Sequence, residues 1–263
     1  MAVPLVTDLH QATFRQDLIA LLRSSGNPKP WEGLSAIEWA RTFDPSLASR
    51  LVAAGYIELA VRLNRRQLAE FCGRKDVPIE FRIAAVMAWG RANFRNTGHN
   101  RRLWASVPDI AALTERLPGM MRAQAFAEFQ QLAASGILRG MRASYFTKLM
   151  FFFGCPGAYI LDQWLGKSIL ALSGINWRAN EPERVVFSRV SNHFIRLGPG
   201  GTSIHERMSG VDYEQFCVAL ESLVEPLGCR DGADAERWLF SEPRSAWRKF
   251  LKTLDWKARP ART

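Results

Sequence analysis

The sequence predicts an all-α protein, and three observations carry that expectation. Apolar residues recur at helical spacing along most of the chain, alternation at period two is rare, and Gly- and Pro-containing turns separate the periodic segments. Taken in order, Phe14, Leu18, Leu21 and Leu22 form a first apolar stripe. GNPKPWEG at 26–33 separates that helix from the body. A second stripe runs from Ile79 to Asn93 through Phe81, Ala84, Ala85, Ala88 and Trp89. A third runs from Met120 to Ser135 through Phe126, Phe129 and Leu132. NTGHN at 96–100 and the Pro-Gly pair at 118–119 read as turns. VVFSRV at 185–190 is the nearest approach to a strand pattern, and LGPGGTSIHERMSG at 197–210 reads as the longest loop. Asp212 then reads as the N-cap of DYEQFCVALESL, and ADAERWLF at 233–240 as a further short helix. A basic tail, RSAWRKFLKTLDWKARPART, closes the chain. We expect residues 1–263 to form one unit built as two helical lobes with a cleft between them.

Composition narrows the function classes. At 263 residues and 48% hydrophobic, the chain can bury a sizeable core. It has no run of 18 apolar residues to span a membrane. Its first residues, MAVPLVTDLHQ, lack the basic flank and long apolar stretch of a signal peptide, so the expectation is a cytoplasmic protein without a membrane partner. Thirty-five Lys and Arg against 25 Asp and Glu leave a net charge of +10, a balance suited to a polyanion. Cys72, Cys155, Cys217 and Cys229 form no Cys-x-x-Cys pair, and His10, His99, His193 and His205 are scattered. We therefore expect free thiols and neither metal nor cofactor.

Chemistry concentrates in ILRGMRASYFTKLMFFFGCPGAYILDQWL, residues 137–165. QAFAEFQQLAAS reads as one helix ended by Gly136. LRGMR turns the chain, and ASYFTKLMFFF starts a second helix. Such a hairpin presents backbone N–H groups at a helix N-terminus, where they can hold a phosphate, with Arg139 and Arg142 adding charge; an ordinary αα-hairpin has the same pattern. Lys148 lies one turn beyond Ser144, among Tyr145, Leu149, Phe151, Phe152 and Phe153. A lysine there either snorkels outward or loses solvation and becomes a usable amine. GCPG at 154–157 breaks the helix, and Asp162 begins DQWLGKSILAL. Asp162 can serve as an N-cap, or as a carboxylate that stabilises positive charge on a sugar.

These residues resemble the helix-hairpin-helix DNA glycosylase superfamily. GMRASYFTK…YILDQWLGKSI is similar to its bacterial 8-oxoguanine glycosylase-like branch, which includes anti-phage defence proteins acting on glucosylated hydroxymethylcytosine. The match is strongest over about residues 136–170, within a region 124–172 that would hold hairpin and catalytic groups, and weaker in WGRANF (89–94) and AERWLF. The resemblance implies a two-lobed all-α fold, base flipping and excision of a modified base from double-stranded DNA by a monomer. AP lyase activity can accompany excision in this superfamily. The substrate would be 8-oxoguanine in repair or a hypermodified phage cytosine in defence. The catalytic roles fall on Asp162 and Lys148, and the DNA grip on Arg139, Gly140, Met141, Arg142 and Ser144. Trp89, Tyr145 and Trp164 are candidates for the base pocket. The chain departs from the family pattern twice: Arg142 stands where a second hairpin glycine is usual, and Ser144 occupies the usual lysine slot, one turn before Lys148. A DNA-binding hairpin protein without catalysis is the competing expectation.

Overall fold

The computed structural model describes residues 14–26, 28, 31–90, 96–173, 195, 197–198, 201–240, 244–254 and 256. Every element in them is helical, apart from two isolated bridges, Glu32 with Asn64 and Leu197 with Ile204. The chain divides into two compact units. One is residues 30–160; the other joins residues 1–29 to 161–263. VVFSRV at 185–190 and Arg91 to Arg95 lie outside the described residues.

The 30–160 unit begins with α2 (Ala36–Arg41), α3 (Pro45–Ala53), α4 (Ile57–Ala60) and α5 (Arg65–Gly73), following α1 (Gln16–Ser24) of the other unit. Local chemistry explains most of these starts. Ser35 and Asn64 each cap a helix and complete a reciprocal capping box, with Glu38 and Gln67 respectively, and Asp44 caps α3 ahead of Pro45. Next comes α6 (Ile79–Trp89), whose residues from Arg82 to Trp89 are all buried. A helix apolar on every side has to be central, and α2, α5, α8 (Val107–Arg116) and α10 (Ala143–Phe152) pack around it. Between α6 and α8 lies α7 (Thr97–Ala105). NTGHN is therefore a helix start rather than a turn: the Asn96 side chain accepts from the His99 N–H, which an isolated turn would not offer in that register.

After α8, Leu117–Gly119 form a 3₁₀ turn and lead into α9 (Arg122–Ala134). Aromatic packing locks α9 to α10. Phe146 stacks on Phe129 at 5.5 Å between ring centroids and meets the edge of Phe126 at 4.9 Å. Pairs of this kind add about 0.5–1.5 kcal/mol each beyond the area they bury. This clamp holds the turn between α9 and α10 in place.

The second unit contains α1, α11 (Gln163–Leu172), α12 (Gly210–Ser222), α13 (Val224–Leu227), α14 (Gly232–Phe240) and α15 (Ala246–Thr253). α11 is its centre, touching α1, α12, α14 and α15. Trp247 of α15 is fully buried and its indole N–H donates to the Ser168 hydroxyl, which in turn donates to the Leu239 carbonyl of α14. The start of α12 differs from expectation. Ser209 is the N-cap and Asp212 is the N3 residue of its capping box, returning a bond to the Ser209 N–H. Either residue type can cap; the three extra N-terminal residues of helix, Gly210, Val211 and Asp212, decide for Ser209.

Candidate active site

In the 30–160 unit the site is the hairpin and the first half of α10. α9 stops at Ala134, and Gly136 and Gly140 take positive φ values of 78° and 82°. The Leu138 N–H returns to the Leu132 carbonyl and the Met141 N–H to the Leu138 carbonyl, closing the turn. Met141 buries its side chain at 3% exposure, so a DNA contact there falls to its backbone. Arg139, Gly140 and Arg142 are exposed, and Ser144 is half-buried. Arg142 is the N-cap of α10 without a side-chain cap bond, which leaves the first N–H groups of that helix without side-chain capping. On nearby α7 Arg101 and Arg102 are both exposed, and Arg101 donates to the Phe43 carbonyl at 3.0 Å.

His99 is a member of this group that the sequence did not single out. Its ring lies under the hairpin, where a Cβ on Gly140 would meet Nδ1 at 3.1 Å. Nε2 is 3.4 Å from the Tyr145 hydroxyl. Burial lowers the His99 pKa, and the nearby Arg102 and Arg142 guanidiniums lower it further.

Lys148 is buried at 9% exposure, so its stem does not snorkel. Nζ donates to the Ser144 carbonyl at 2.5 Å, and lies 5.9 Å from the Tyr145 ring. The stem runs over Gly90: a Cβ there would meet Cδ at 3.1 Å and Cε at 3.3 Å. Trp89, beside that glycine, is buried and meets the Phe152 ring edge-on at 4.9 Å. Its backbone is held as well, because Trp31 donates to the Trp89 carbonyl. Lys148, Gly90, Trp89 and Phe152 thus form one cluster on α6 and α10, and Tyr145 joins it to His99.

Asp162 belongs to the other unit, as the N-cap of α11. One carboxylate oxygen, Oδ1, accepts both cap bonds, from Trp164 N–H at 2.8 Å and Leu165 N–H at 3.0 Å. Among the described residues no hydrogen bond reaches Oδ2. The cap therefore orients the carboxylate and leaves an oxygen for other work. Trp164 is half-buried, with the Arg248 guanidinium 3.9 Å from its ring centre and the Lys167 amine at 4.6 Å. Trp164 is thus already in contact with two cations. Burial lowers the Arg248 pKa to about 10, against the opposing effect of Asp162. Lys167 was also missed in the sequence. Its signal was a lone cation inside the apolar run LGKSILAL.

The family comparison decides what this arrangement belongs to. Residues 32–240 match the family model described as "Putative 8-oxoguanine DNA glycosylase OGG-like protein". The chain is an OGG-like glycosylase family member. No curated protein and no solved structure matches it. The OGG-like match spans both units, including the hairpin, Lys148, Asp162 and α14. The all-α fold agrees with it. Among the described residues of this OGG-like chain, no helix is long and apolar enough to cross a membrane, and no group of three His, Cys, Asp or Glu side chains is placed to hold a metal ion.

Proposed function

We propose that this chain is a DNA N-glycosylase that flips a modified base out of the duplex and cleaves its glycosidic bond. The observation that carries the reading is the divided carboxylate of Asp162. Oδ1 is fixed by two backbone N–H groups, and Oδ2 is free of hydrogen bonds among the described residues. In the proposed reaction the C1′–N bond breaks and its electron pair leaves with the base. The Asp162 carboxylate stabilises the cationic sugar and takes a proton from the water that attacks C1′.

Lys148 is assigned to the departing base. With Nζ held by the Ser144 carbonyl and the stem seated on Gly90, its amine is aimed and buried, and in the proposed reaction it donates to the base as charge builds there. Arg139, the exposed Gly140 backbone, Arg142 and Ser144 are assigned to the DNA backbone, and Trp89, Tyr145 and Trp164 to the flipped nucleotide.

The family description points to 8-oxoguanine. Arg142 in place of the usual second hairpin glycine favours a second substrate, a hypermodified phage cytosine, because it marks divergence from repair enzymes. Release of free base separates the two. The protein is incubated with an 8-oxoguanine duplex and with DNA from phages carrying different cytosine modifications, and released bases are read by mass spectrometry. Release from either DNA, with abasic sites left behind, supports the reading. Tight DNA binding with no base released from any of them makes the protein a DNA-binding hairpin module instead.

A further inference from the structure

We propose that His99 is a further DNA-binding residue of this protein, a cation of the hairpin face supplied on demand: its imidazole takes up a proton from solvent as a DNA phosphate docks beside Arg102 and Arg142. The inference rests on the DNA-binding part of the reading above and not on base release. The geometry begins with the hairpin. His99 is half-buried on α7, and the ring edge carrying Nδ1 and Cε1 lies against the Gly140 backbone, where an added Cβ would meet them at 3.1 and 3.2 Å. Gly140 itself is exposed, at φ 82°. The ring therefore sits directly under the part of the turn that is open to a DNA backbone. Its other nitrogen, Nε2, is 3.4 Å from the Tyr145 hydroxyl, and the two rings are 5.8 Å apart between centroids. His99 thus touches both the turn assigned to the phosphate and a side chain assigned to the flipped nucleotide.

Three features oppose a positive charge on this ring in the protein alone. His99 is the third residue of α7, where the Asn96 side chain accepts its backbone N–H and the positive end of the helix dipole disfavours a cation. Arg102, one turn further along α7, and Arg142, at the head of α10, act on it as like charges. Partial burial adds to the cost. Among the described residues no carboxylate compensates. Asp109 and Glu115 of α8, the helix packed against α7, are not among the charges that act on the ring, nor are Arg116 of α8, Arg101 of α7 or Arg139 of the hairpin. The Tyr145 hydroxyl of α10 is the remaining titratable group beside it. A phosphate docked at the hairpin reverses the balance. Its negative charge offsets the two guanidiniums and favours the imidazolium, which donates from both ring nitrogens.

Because docking raises the pKa of the ring, DNA binding and proton uptake are linked. The added affinity is present in full below the pKa of the free protein and is lost as pH rises through the higher pKa of the complex.

The test uses the full-length protein and an unmodified duplex. Binding heats are measured at about pH 6.5, near the ordinary imidazole pKa, in two buffers of different ionisation enthalpy. The expected result is net proton uptake by the wild type, largely lost in His99→Gln and kept in His205→Gln, a histidine of the other unit. Affinity titrations read the same linkage. Between about pH 5.5 and about pH 8.5 the wild type should lose about tenfold more affinity than His99→Gln, the equivalent of one pKa unit. A ring with a structural role alone would weaken the variant equally at both pH values. NMR titration of the His99 ring in the wild type, free and DNA-bound, locates the proton without any variant, and should give the higher pKa in the complex. DNA binding without proton uptake, an unshifted His99 titration, uptake that survives in folded His99→Gln, or no DNA binding at all overturns the proposal. Because the duplex carries no modified base, the two readings fail separately. A chain that releases no base can still take up the proton, and a chain that releases base but binds without uptake loses only this inference.

Discussion

Lys148 and Lys167 look alike in the sequence, each a single cation in an apolar helix, and the structure gives them different surroundings. Lys148, on α10, is tied: its amine donates to the Ser144 carbonyl and its stem lies on Gly90. Lys167, on α11, has no hydrogen bond or ion pair among the described residues, and faces Trp164, Trp256 and the competing charge of Arg248. Both pass a glycine, Gly90 in one case and Gly201 in the other. Burial alone therefore does not define the role of a lysine. A tethered amine is an aimed donor; the other rests against two aromatic rings beside a second cation.

The comparison can be broken most strongly at Lys148 itself. Lys148→Ala is expected to slow base release by about 10²-fold, the low end of what a positioned proton donor contributes. Single-turnover release assays on whichever DNA yields free base measure this. A smaller effect comes from the glycines. Gly90→Ala places a Cβ against the Lys148 stem, and a shift of a few tenths of an ångström should slow base release by about tenfold, below the loss known for a 1 Å misplacement. Gly201→Ala acts on the other lysine. It combines a positive φ with a Cβ only 2.5 Å from that of Trp256, so it should lower the unfolding temperature while leaving the Lys148 step unchanged. The smallest effect lies at the hairpin. Arg142→Ala should leave the form of the salt dependence intact and reduce its log–log slope by about 1, read from DNA titrations at several salt concentrations.

Local signals made much of this legible in the sequence. The α9–turn–α10 hairpin and the Asp162 cap are set by residues within a few positions of one another, and α14 follows from a short periodic run. Where two local signals compete, the reading slips: Asn96 and Gly98 look like a turn but open a helix, and Ser209 takes the cap that Asp212 could have held. What the sequence could not show are the long-range neighbours. Gly90 under Lys148, His99 under Gly140 and Arg248 beside Lys167 come from distant parts of the chain, and no periodicity marks those pairs. The same holds for the burial of Met141, which leaves any DNA contact at that position to its backbone.

The central claim is that the Asp162 carboxylate performs the chemistry as well as the capping. Asp162→Asn separates the two, because asparagine caps a helix about as well as aspartate but cannot accept the proton or balance the sugar's charge. The measurement is single-turnover base release by this variant and by the wild type at equal DNA occupancy, with thermal unfolding in parallel. The account predicts a rate loss of about 10²–10⁴-fold with DNA affinity retained and the unfolding temperature nearly unchanged. Undiminished base release by Asp162→Asn would contradict it.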